Sequence, residues 1–438
     1  MSAMFFSPDR SLRDECIRDL TALDDALKTL DEEASRLKKR LAHQAIKSLL
    51  PRGFALRLLE EGPPPDLSRV QEHKDFDEFL RTAVLSLIAL AALCHHAAHL
   101  DSKYAPLLAH PPIALASLVR WAETFHPLRY GRIWHTKYGP INTISPTCAV
   151  LAGVLNIERD YIRSFVLANP RVITVTMDIW LHFPAHFHHD ESFHAKSALL
   201  ITNAMAMLIE MVAIDDDIHD VLIAEAVVLL AGHMNRAPRL FKAQMGYFCR
   251  HHEACGGLVV WAAYFRVVGA MIMLPGLSGL DVRSHFFRSV IHSIRCCLEY
   301  PKDEEMLAVI DCGIDILHDL MADARGLGNT ARATSAQIVP FLMDLRATIG
   351  LRVSIIRVER QLLRAFWSPS ILRLFHRQMK LIRDGEGTQN WELPIAGVFD
   401  QQWDLYSESL REHSWKIDIP CSNKSAVSPV GYLTEIGH

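Results

Sequence analysis

The residues best suited to chemistry are three carboxylates, Asp216, Asp217 and Asp220, which follow an apolar run of the chain. Carboxylate oxygens are hard ligands that suit Mg²⁺, and a bound metal ion neutralises the charge of a leaving group. A simpler role uses the same part of the chain, because carboxylates at positions 215–217 would cap and charge the start of a helix over 218–230. The pattern therefore predicts either a magnesium site or a charged helix start.

The motif Asp216-Asp217-Ile218-His219-Asp220 resembles, over five residues, the Asp-Asp-x-x-Asp motif of class I terpenoid synthases. In that family the carboxylates hold magnesium ions that bind a substrate diphosphate, so the resemblance implies a Mg²⁺-dependent enzyme. A second acidic helix would have to face the motif, and four aspartates recur at every fourth position further along: Asp311, Asp315, Asp319 and Asp323. This second helix lacks the family's Asn/Asp-Asp-x-x-Ser/Thr-x-x-x-Glu pattern.

A second group of residues is rich in histidine. If a helix begins after Pro184, then His186, Asp190 and His194 follow at intervals of four and share one face. Imidazole and carboxylate on one face suit Zn²⁺ or another divalent metal. The alternative is an exposed turn and helix start in which the neighbouring phenylalanines pack inward.

The third feature is a basic segment, in which residues 350–383 carry eight arginines and lysines against the single acid Glu359. The helical period places its members on two faces: Arg357, Arg360 and Arg364 on one, and Arg373, Arg377 and Lys380 on the other. Such a ridge suits an acidic protein segment, a phosphoinositide headgroup or nucleic-acid phosphates. The alternative is a solvated face that acidic residues of 303–323 neutralise within the fold.

The amino-acid composition limits the kinds of function that we expect of this protein. The chain has 438 residues, of which 50% are hydrophobic, and a formal net charge of −4, which does not predict a nucleic-acid binder. Nine scattered cysteines without regular spacing favour a reducing compartment. The first thirteen residues lack the apolar core of a signal peptide, so we expect an intracellular protein, cytoplasmic or nuclear. Apolar stretches at 83–94, 199–214 and 256–280 are better explained as core helices than as membrane spans.

Amphipathic helices follow one another along most of the chain, and only residues 172–176 have a pattern that competes as a strand. We expect an all-α protein of antiparallel helix pairs, either an armadillo or HEAT-like array or an irregular helical domain. The predicted helices lie near 74–100, 112–126, 146–155, 158–168, 170–182, 192–214, 217–234, 238–250, 253–274, 281–299, 303–325, 331–349, 351–367, 369–384 and 397–414.

The predicted organisation has four parts. Residues 1–59 contain a heptad-patterned helix, whose seam residues alternate spacings of three and four: Leu20, Leu23, Leu27, Leu30, Ala34, Leu37 and Leu41. Residues 60–72 form a proline-rich linker, residues 73–414 the helical array and residues 415–438 an irregular tail. The heptad helix packs either on its own helical body or against a second copy of the chain.

The tail contains Pro420-Cys421-Ser422-Asn423-Lys424-Ser425-Ala426, directly after a tryptophan-containing helix. This segment resembles the entry to the C-terminal MYND zinc finger of helical proteins from mushroom-forming fungi. Ala426 stands where the family has its second cysteine, and no cysteine follows, so the finger is missing or truncated. The resemblance implies a helical scaffold that engages other proteins, with no catalytic residues.

We therefore expect a non-catalytic helical scaffold that acts through protein–protein interaction, in a role that includes regulation. The alternative is the terpenoid synthase-like enzyme that uses Mg²⁺ at Asp216, Asp217 and Asp220. We expect no cofactor for the scaffold, with Mg²⁺ or Zn²⁺ as the alternative. The expected partners are other proteins, including a second copy of the chain through the N-terminal helix, rather than nucleic acid or membrane.

Overall fold

A computed structural model describes residues 35–49, 76–99, 112–126, 133–136, 139–157, 159–186, 191–230, 236–274, 282–322 and 326–385, with residue 63 and scattered positions between 18 and 29. Within these residues the chain forms sixteen helices and one two-stranded hairpin. The predicted all-α class is confirmed. The predicted helix at 397–414 and the MYND-like tail lie outside the described residues, as does the proline-rich linker apart from residue 63.

The chain divides into two compact units, which are described separately. The N-terminal unit holds Met1–Gly232 with Glu253–Gly256, and the C-terminal unit holds His233–His252 with Gly257–His438. The helical array predicted over 73–414 spans both units.

Two helices of the N-terminal unit, at residues 144–154 and 171–186, each pack against several neighbouring helices. Its elements are α1 (Arg36–Leu49), α2 (Phe76–His99), α3 (Pro112–Thr124), β1 (Ile133–Thr136), β2 (Gly139–Asn142), α4 (Ile144–Val154), α5 (Arg159–Ala168), α6 (Arg171–His186), α7 (Glu191–Val212) and α8 (Asp216–Leu230). The apolar α4 packs against α2 and α7, and α6 packs against α3, α7 and α8. Large aromatic side chains fill this core, including the fully buried Trp121, Trp180 and Phe183.

The C-terminal unit surrounds one helix with four others. Its elements are α9 (Ala237–His251), α10 (Leu258–Met273), α11 (Ser284–Cys297), α12 (Glu304–Ala322), α13 (Gly326–Ser335), α14 (Ile338–Ile349), α15 (Val353–Ala365) and α16 (Pro369–Gly385). Helix α12 contacts α10, α11, α13 and α15. A Cβ at Gly313 of α12 would lie 2.7 Å from Ile294 Cγ1 of α11, so the absence of a side chain there permits the close approach of the two helices.

Capping residues fix where several helices begin. Asp303 accepts a hydrogen bond from the Met306 amide at 2.9 Å at the start of α12, and Ser35 accepts one from the Lys38 amide at 3.4 Å before α1. Because Ser35 is not helical, the heptad helix predicted through residue 41 is interrupted there. On α1 Leu37 and Leu41 are exposed.

Three further differences separate the sequence prediction from the structure. Residues 172–176 are helical within α6, because Val172, Ile173 and Val175 enter the core at helical spacing. The strands lie instead at β1 and β2, which pair antiparallel with Trp134 opposite Ile141. Strands of four residues give a weak signal beside so many helices, and β2 contains Gly139, Pro140 and Asn142, residue types that are depleted in strands.

The helix predicted over 331–349 is two helices, α13 and α14. Gln337 separates them with a φ of 67°, a left-handed conformation in which a helix ends. Helix α6, in contrast, continues past Pro184 to His186. Burial of the side chains of Trp180, Leu181 and Phe183 contributes about 1.5–3 kcal/mol per side chain to the stability of the fold. The sum of the three contributions exceeds the roughly 3 kcal/mol that a proline costs inside a helix.

One stretch of the described residues, His194–Val212, is long and apolar enough to cross a membrane, and 61% of it is buried inside the protein. It corresponds to one of the three apolar stretches in the sequence. Buried core residues such as Ala198, Ile201 and Leu208 account for its apolar composition.

Candidate functional site

Helix α15 presents one exposed face and one buried face. Ile355, Val358 and Leu362 are buried against the rest of the C-terminal unit. The opposite face consists of five exposed residues, spaced alternately by four and three positions and here called the α15 face: Val353, Arg357, Arg360, Arg364 and Trp367. This spacing places the first four on one side of the helix, and Trp367 follows in the turn after the helix ends at Ala365.

Trp367 stands at the end of the α15 face with 82% of its surface exposed. The preceding residue, Phe366, points the other way and packs edge-on against Phe375 of α16, with 4.7 Å between the ring centroids. This contact anchors the turn between the helices. The indole of Trp367 is therefore presented to solvent by a fixed piece of backbone.

Helix α12 neutralises Arg352, just before α15, and Arg357 of the α15 face. The Arg352 Nε donates to both carboxylate oxygens of Asp311, at 2.9 and 3.1 Å, and Ser354 also donates to this carboxylate. The hydrogen bonds and charge of Asp311 raise the pKa of Arg352. Arg357 Nη1 donates to Asp315 at 2.9 Å. Two of the predicted magnesium ligands on α12 thus serve as partners of arginines.

Crowding of the aspartates on α12 explains why it attracts these arginines. Partial burial raises the pKa of Asp315, Arg357 lowers it, and the neighbouring charges of Asp319 and Asp311 raise it again. A row of like charges on one helix face is destabilising, and cations from a packed helix relieve the repulsion. Asp323, the last of the predicted row, lies outside the described residues.

Arg360 and Arg364, in the second half of the α15 face, have no such partner among the described residues. In the described part of the chain, no carboxylate lies within ion-pair distance of Arg360 or Arg364. The nearby acid Glu359 is buried and faces Arg346, whose Nη1 lies 3.8 Å from Glu359 Oε1. Burial raises the pKa of Glu359, and Arg346 partly offsets this. Glu359 therefore does not neutralise the exposed arginines.

The other predicted basic face lies on α16. Leu372, Phe375 and Met379 are buried, which leaves Arg377 and Lys380 exposed and Arg373 half-buried. The structure thus confirms the helical faces on which the prediction of partner-binding residues depends. The binding itself stays a prediction.

The Asp216 motif begins α8 and is held by an arginine. Asp215 accepts a hydrogen bond from the Ile218 amide at 3.2 Å, as a helix cap does. Arg163 of α5 bonds both Asp215 and Asp217, the latter at 2.7 Å, and its hydrogen bond lowers the pKa of Asp215. Asp216 and Asp220 are exposed. This geometry accounts for the motif as a charged helix start, and a role in magnesium binding stays a prediction.

The histidine-rich segment is divided between two helices. His186 is the last residue of α6, His194 lies buried on α7, and Asp190 lies outside the described residues. The condition for a shared face, a helix beginning after Pro184, is not met because α6 continues through that residue. Zinc binding by these residues stays a prediction without the helical spacing that suggested it.

Two other histidines, His126 and His182, contact the carboxylate of Asp178. The Asp178 carboxylate lies 3.0 Å from His126 Nε2 and 2.9 Å from His182 Nδ1. Burial raises the pKa of Asp178, but hydrogen bonds and charge from the two histidines outweigh it and bring this pKa below its ordinary value. Asp178 in turn raises the pKa of His182. The contact with His126 ties the segment just after α3 to α6.

Sequence reasoning missed a cluster of metal-ligand side chains. Among the described residues, Cys249, His292 and Cys296 have ligand atoms that all lie within 4.8 Å of one another. Cys255 is the cysteine nearest to Cys249 along the chain, but the ligand atoms near Cys249 in space come from α11. The only local signal is the interval of four between His292 and Cys296, which places both on one helix face.

Comparison with known proteins does not identify the chain. No family model, curated protein or solved structure matches it. The geometry of the described residues therefore carries the functional argument.

Proposed function

We propose that this protein is a non-catalytic helical scaffold that binds an acidic segment of another protein along the second half of the α15 face. The observation that carries the proposal is Trp367, which is 82% exposed at the end of a helix face that also presents Arg360 and Arg364. Tryptophan and arginine are the residue types most enriched at the energetic centres of protein interfaces.

Each of these side chains suits a specific part of such a partner. Burial of an aromatic side chain against an apolar anchor contributes about 2–3 kcal/mol. Arginine donates two parallel hydrogen bonds to a carboxylate, so acidic residues on the partner would pair with Arg360 and Arg364. The spacing of four and three along the α15 face also fits side chains of a partner helix at the same spacing.

Charge favours a protein partner over nucleic acid. Affinity for nucleic acid comes from many phosphate contacts made together, typically about six to ten. The α15 face offers two arginines without an ion-pair partner in the described residues, on a chain whose net charge is −4. Two cations beside one large aromatic side chain suit a short acidic motif with an apolar anchor.

The scaffold architecture has support of its own. In the C-terminal unit, contacts join helices two or three apart in sequence, such as α9 with α11, α10 with α12 and α13 with α16. Stacked helix pairs of the armadillo or HEAT kind produce this pattern. Exposure of Leu37 and Leu41 on α1 supports the self-association of two chains through this helix. The seven described cysteines are all free thiols, which supports an intracellular location.

Selection from a random peptide display library on the immobilised full chain tests the proposal. Enriched peptides are expected to be acidic with one aromatic or leucine anchor, and to bind neither Trp367→Ala nor the double variant Arg360→Glu/Arg364→Glu. Arg239→Glu, which reverses an exposed arginine on α9, is the matched control and should bind normally. Enrichment of peptides without acidic residues, or equal binding by all variants, would contradict the proposal.

A further inference from the structure

We propose that Cys249, His292 and Cys296 form a Zn²⁺ site in the C-terminal unit, with a water molecule as the fourth ligand. The proposal is independent of the α15 face. It rests on ligand type, the distances between ligand atoms and the way in which two packed helices present them.

Helices α9 and α11 pack against each other and bring the three residues together. His292 and Cys296 are four residues apart on α11, so their side chains project from one face. Cys249 lies in the last turn of α9 and reaches the same place from the facing helix. A site shared by two helices is positioned by packing rather than by a flexible loop.

The distances fit a tetrahedral ion after a small adjustment. Zinc–sulfur bonds of about 2.3 Å place two thiolates about 3.8 Å apart in a tetrahedral site, and imidazole nitrogen lies slightly closer. The three ligand atoms here lie within 4.8 Å of one another. Closure by about 1 Å brings them to bonding geometry, which rotation of exposed His292 and half-buried Cys249 provides.

Cys249 is in hydrogen-bonding contact with Cys296 and Ser293. A hydrogen bond shared with Cys296 lowers the pKa of Cys249, burial raises it, and Ser293, whose Oγ lies 3.8 Å from Cys249 Sγ, lowers it again. The same shared bond raises the pKa of Cys296. Zinc binding would release the protons of the two thiols, because coordinated thiols are deprotonated.

Burial varies across the site in a way that leaves one coordination position open. Cys296 is buried, Cys249 is half-buried and His292 is exposed. Water therefore has access from the His292 side. Two thiolates and one imidazole are borderline-soft ligands that select zinc over magnesium or calcium.

Zinc titration and cobalt substitution of the reduced full chain test this site. Wild type should bind one Zn²⁺ per chain, and its Co²⁺ form should show thiolate-to-metal charge-transfer absorption with the visible bands of a tetrahedral ion. Cys249→Ser and Cys296→Ser should each weaken Zn²⁺ binding by more than about 100-fold, beyond the 10–100-fold typical of an outer partner. Cys312→Ser, which removes an exposed thiol on α12, is the matched control.

His292→Ala keeps the proposal testable if the buried Cys296→Ser variant fails to fold. The His292 side chain is exposed, so its removal should leave the helical circular dichroism and the metal-free Tm unchanged while weakening Zn²⁺ binding and altering the Co²⁺ spectrum. Zn²⁺ binding at the wild-type affinity by the three ligand variants, Cys249→Ser, His292→Ala and Cys296→Ser, would overturn the proposal. So would the absence of stoichiometric Zn²⁺ from the reduced wild-type protein.

Discussion

The two halves of the basic helix α15 have the same charge and different surroundings. Arg352 and Arg357, at its start, bond Asp311 and Asp315 of α12. Arg360 and Arg364, one and two turns later, meet no carboxylate in the described residues and lead to exposed Trp367. One sequence pattern thus supplies both an internal contact and a surface suited to a partner.

The difference shows that packing, rather than charge alone, decides the role of an ionic residue. An arginine that faces an acidic helix stabilises the fold, and an arginine one turn further faces solvent. The Asp216 motif follows the same rule, because Arg163 bonds Asp215 and Asp217 at the start of α8. A charged motif in the sequence becomes a site only where the fold leaves its charges without an internal partner.

The largest expected effect is on partner binding at the exposed half. Trp367→Ala should weaken the binding of a peptide selected on the wild-type protein by at least about 2 kcal/mol, or roughly 30-fold. The substitution removes the indole against which the peptide's apolar anchor packs. Unfolding free energy should change by less than about 0.5 kcal/mol, since the side chain is exposed. Calorimetric titration and urea unfolding measure the two effects.

Leu351→Ala is the control for this substitution. Leu351 is also exposed but lies just before α15, beside the paired half. An equal loss of peptide binding in this variant would remove the distinction between the two halves.

The next effect is on stability at the paired half. Arg352→Ala should lower the unfolding free energy of the C-terminal unit by about 2 kcal/mol, because Asp311 then loses a two-point, charge-assisted contact in a partly buried position. Urea unfolding followed by circular dichroism measures it. Arg360→Ala should leave the midpoint unchanged, and a matching loss there would mean that Arg360 also has a stabilising partner.

Buried pairing in the N-terminal unit provides a pH test of the same rule. The folded pKa of Asp178 is below its ordinary 3.8, so its contribution is present above pH 3.8 and is lost as pH falls through the folded pKa. The folded pKa of His182 is above its ordinary 6.5, so its contribution is present below 6.5 and is lost as pH rises through the folded pKa. Asp178→Asn should therefore destabilise the protein most near pH 5.

Urea unfolding of wild type and Asp178→Asn across pH measures this difference. It should shrink as pH rises through the folded pKa of His182, where the imidazole loses its proton, and also in strong acid. A difference independent of pH would show that shape and neutral hydrogen bonds, rather than ionic pairing, stabilise the contact between α3 and α6.

The smallest expected effect is that of the half-exposed pair Arg357–Asp315. Its two side chains are 46% and 42% exposed, so Arg357→Ala should cost less than about 1 kcal/mol, and the loss should shrink as salt is added. Urea unfolding at low and high ionic strength measures it. A loss of unfolding free energy as large as that of Arg352→Ala would mean that Arg357 stabilises the fold as strongly as Arg352 does. The paired half would then end after Arg357 in its energetic contribution, as it does in its contacts.

The sequence predicted most of the helices because apolar residues at helical spacing report directly on burial. Helices α2, α7 and α15 begin and end within two residues of the ranges inferred from periodicity. The break at Gln337 was missed, because a left-handed glutamine has no sequence signature like that of glycine. The β1–β2 hairpin was missed because its strands are only four residues long.

Sequence alone was weaker on the sites, because they depend on contacts between distant residues. Helical period identified the basic and acidic faces, but not that Arg352 would meet Asp311, 41 positions away. Nor did it predict that Arg360 would meet no carboxylate in the part of the chain that the structure describes. The Cys249, His292 and Cys296 cluster also depends on the packing of two helices. Local spacing predicts which residues share a face, and only tertiary structure predicts what that face meets.

The most direct test of the central claim is the affinity of a selected acidic peptide for Arg360→Glu/Arg364→Glu, compared with wild type and Arg239→Glu at two salt concentrations. The proposal predicts at least a tenfold loss in the double variant, as about 1.4 kcal/mol would produce, no loss in Arg239→Glu, and weaker wild-type binding at high salt. Equal affinity in all three proteins, or an equal loss in Arg239→Glu, would contradict the claim that this half of the α15 face binds the partner.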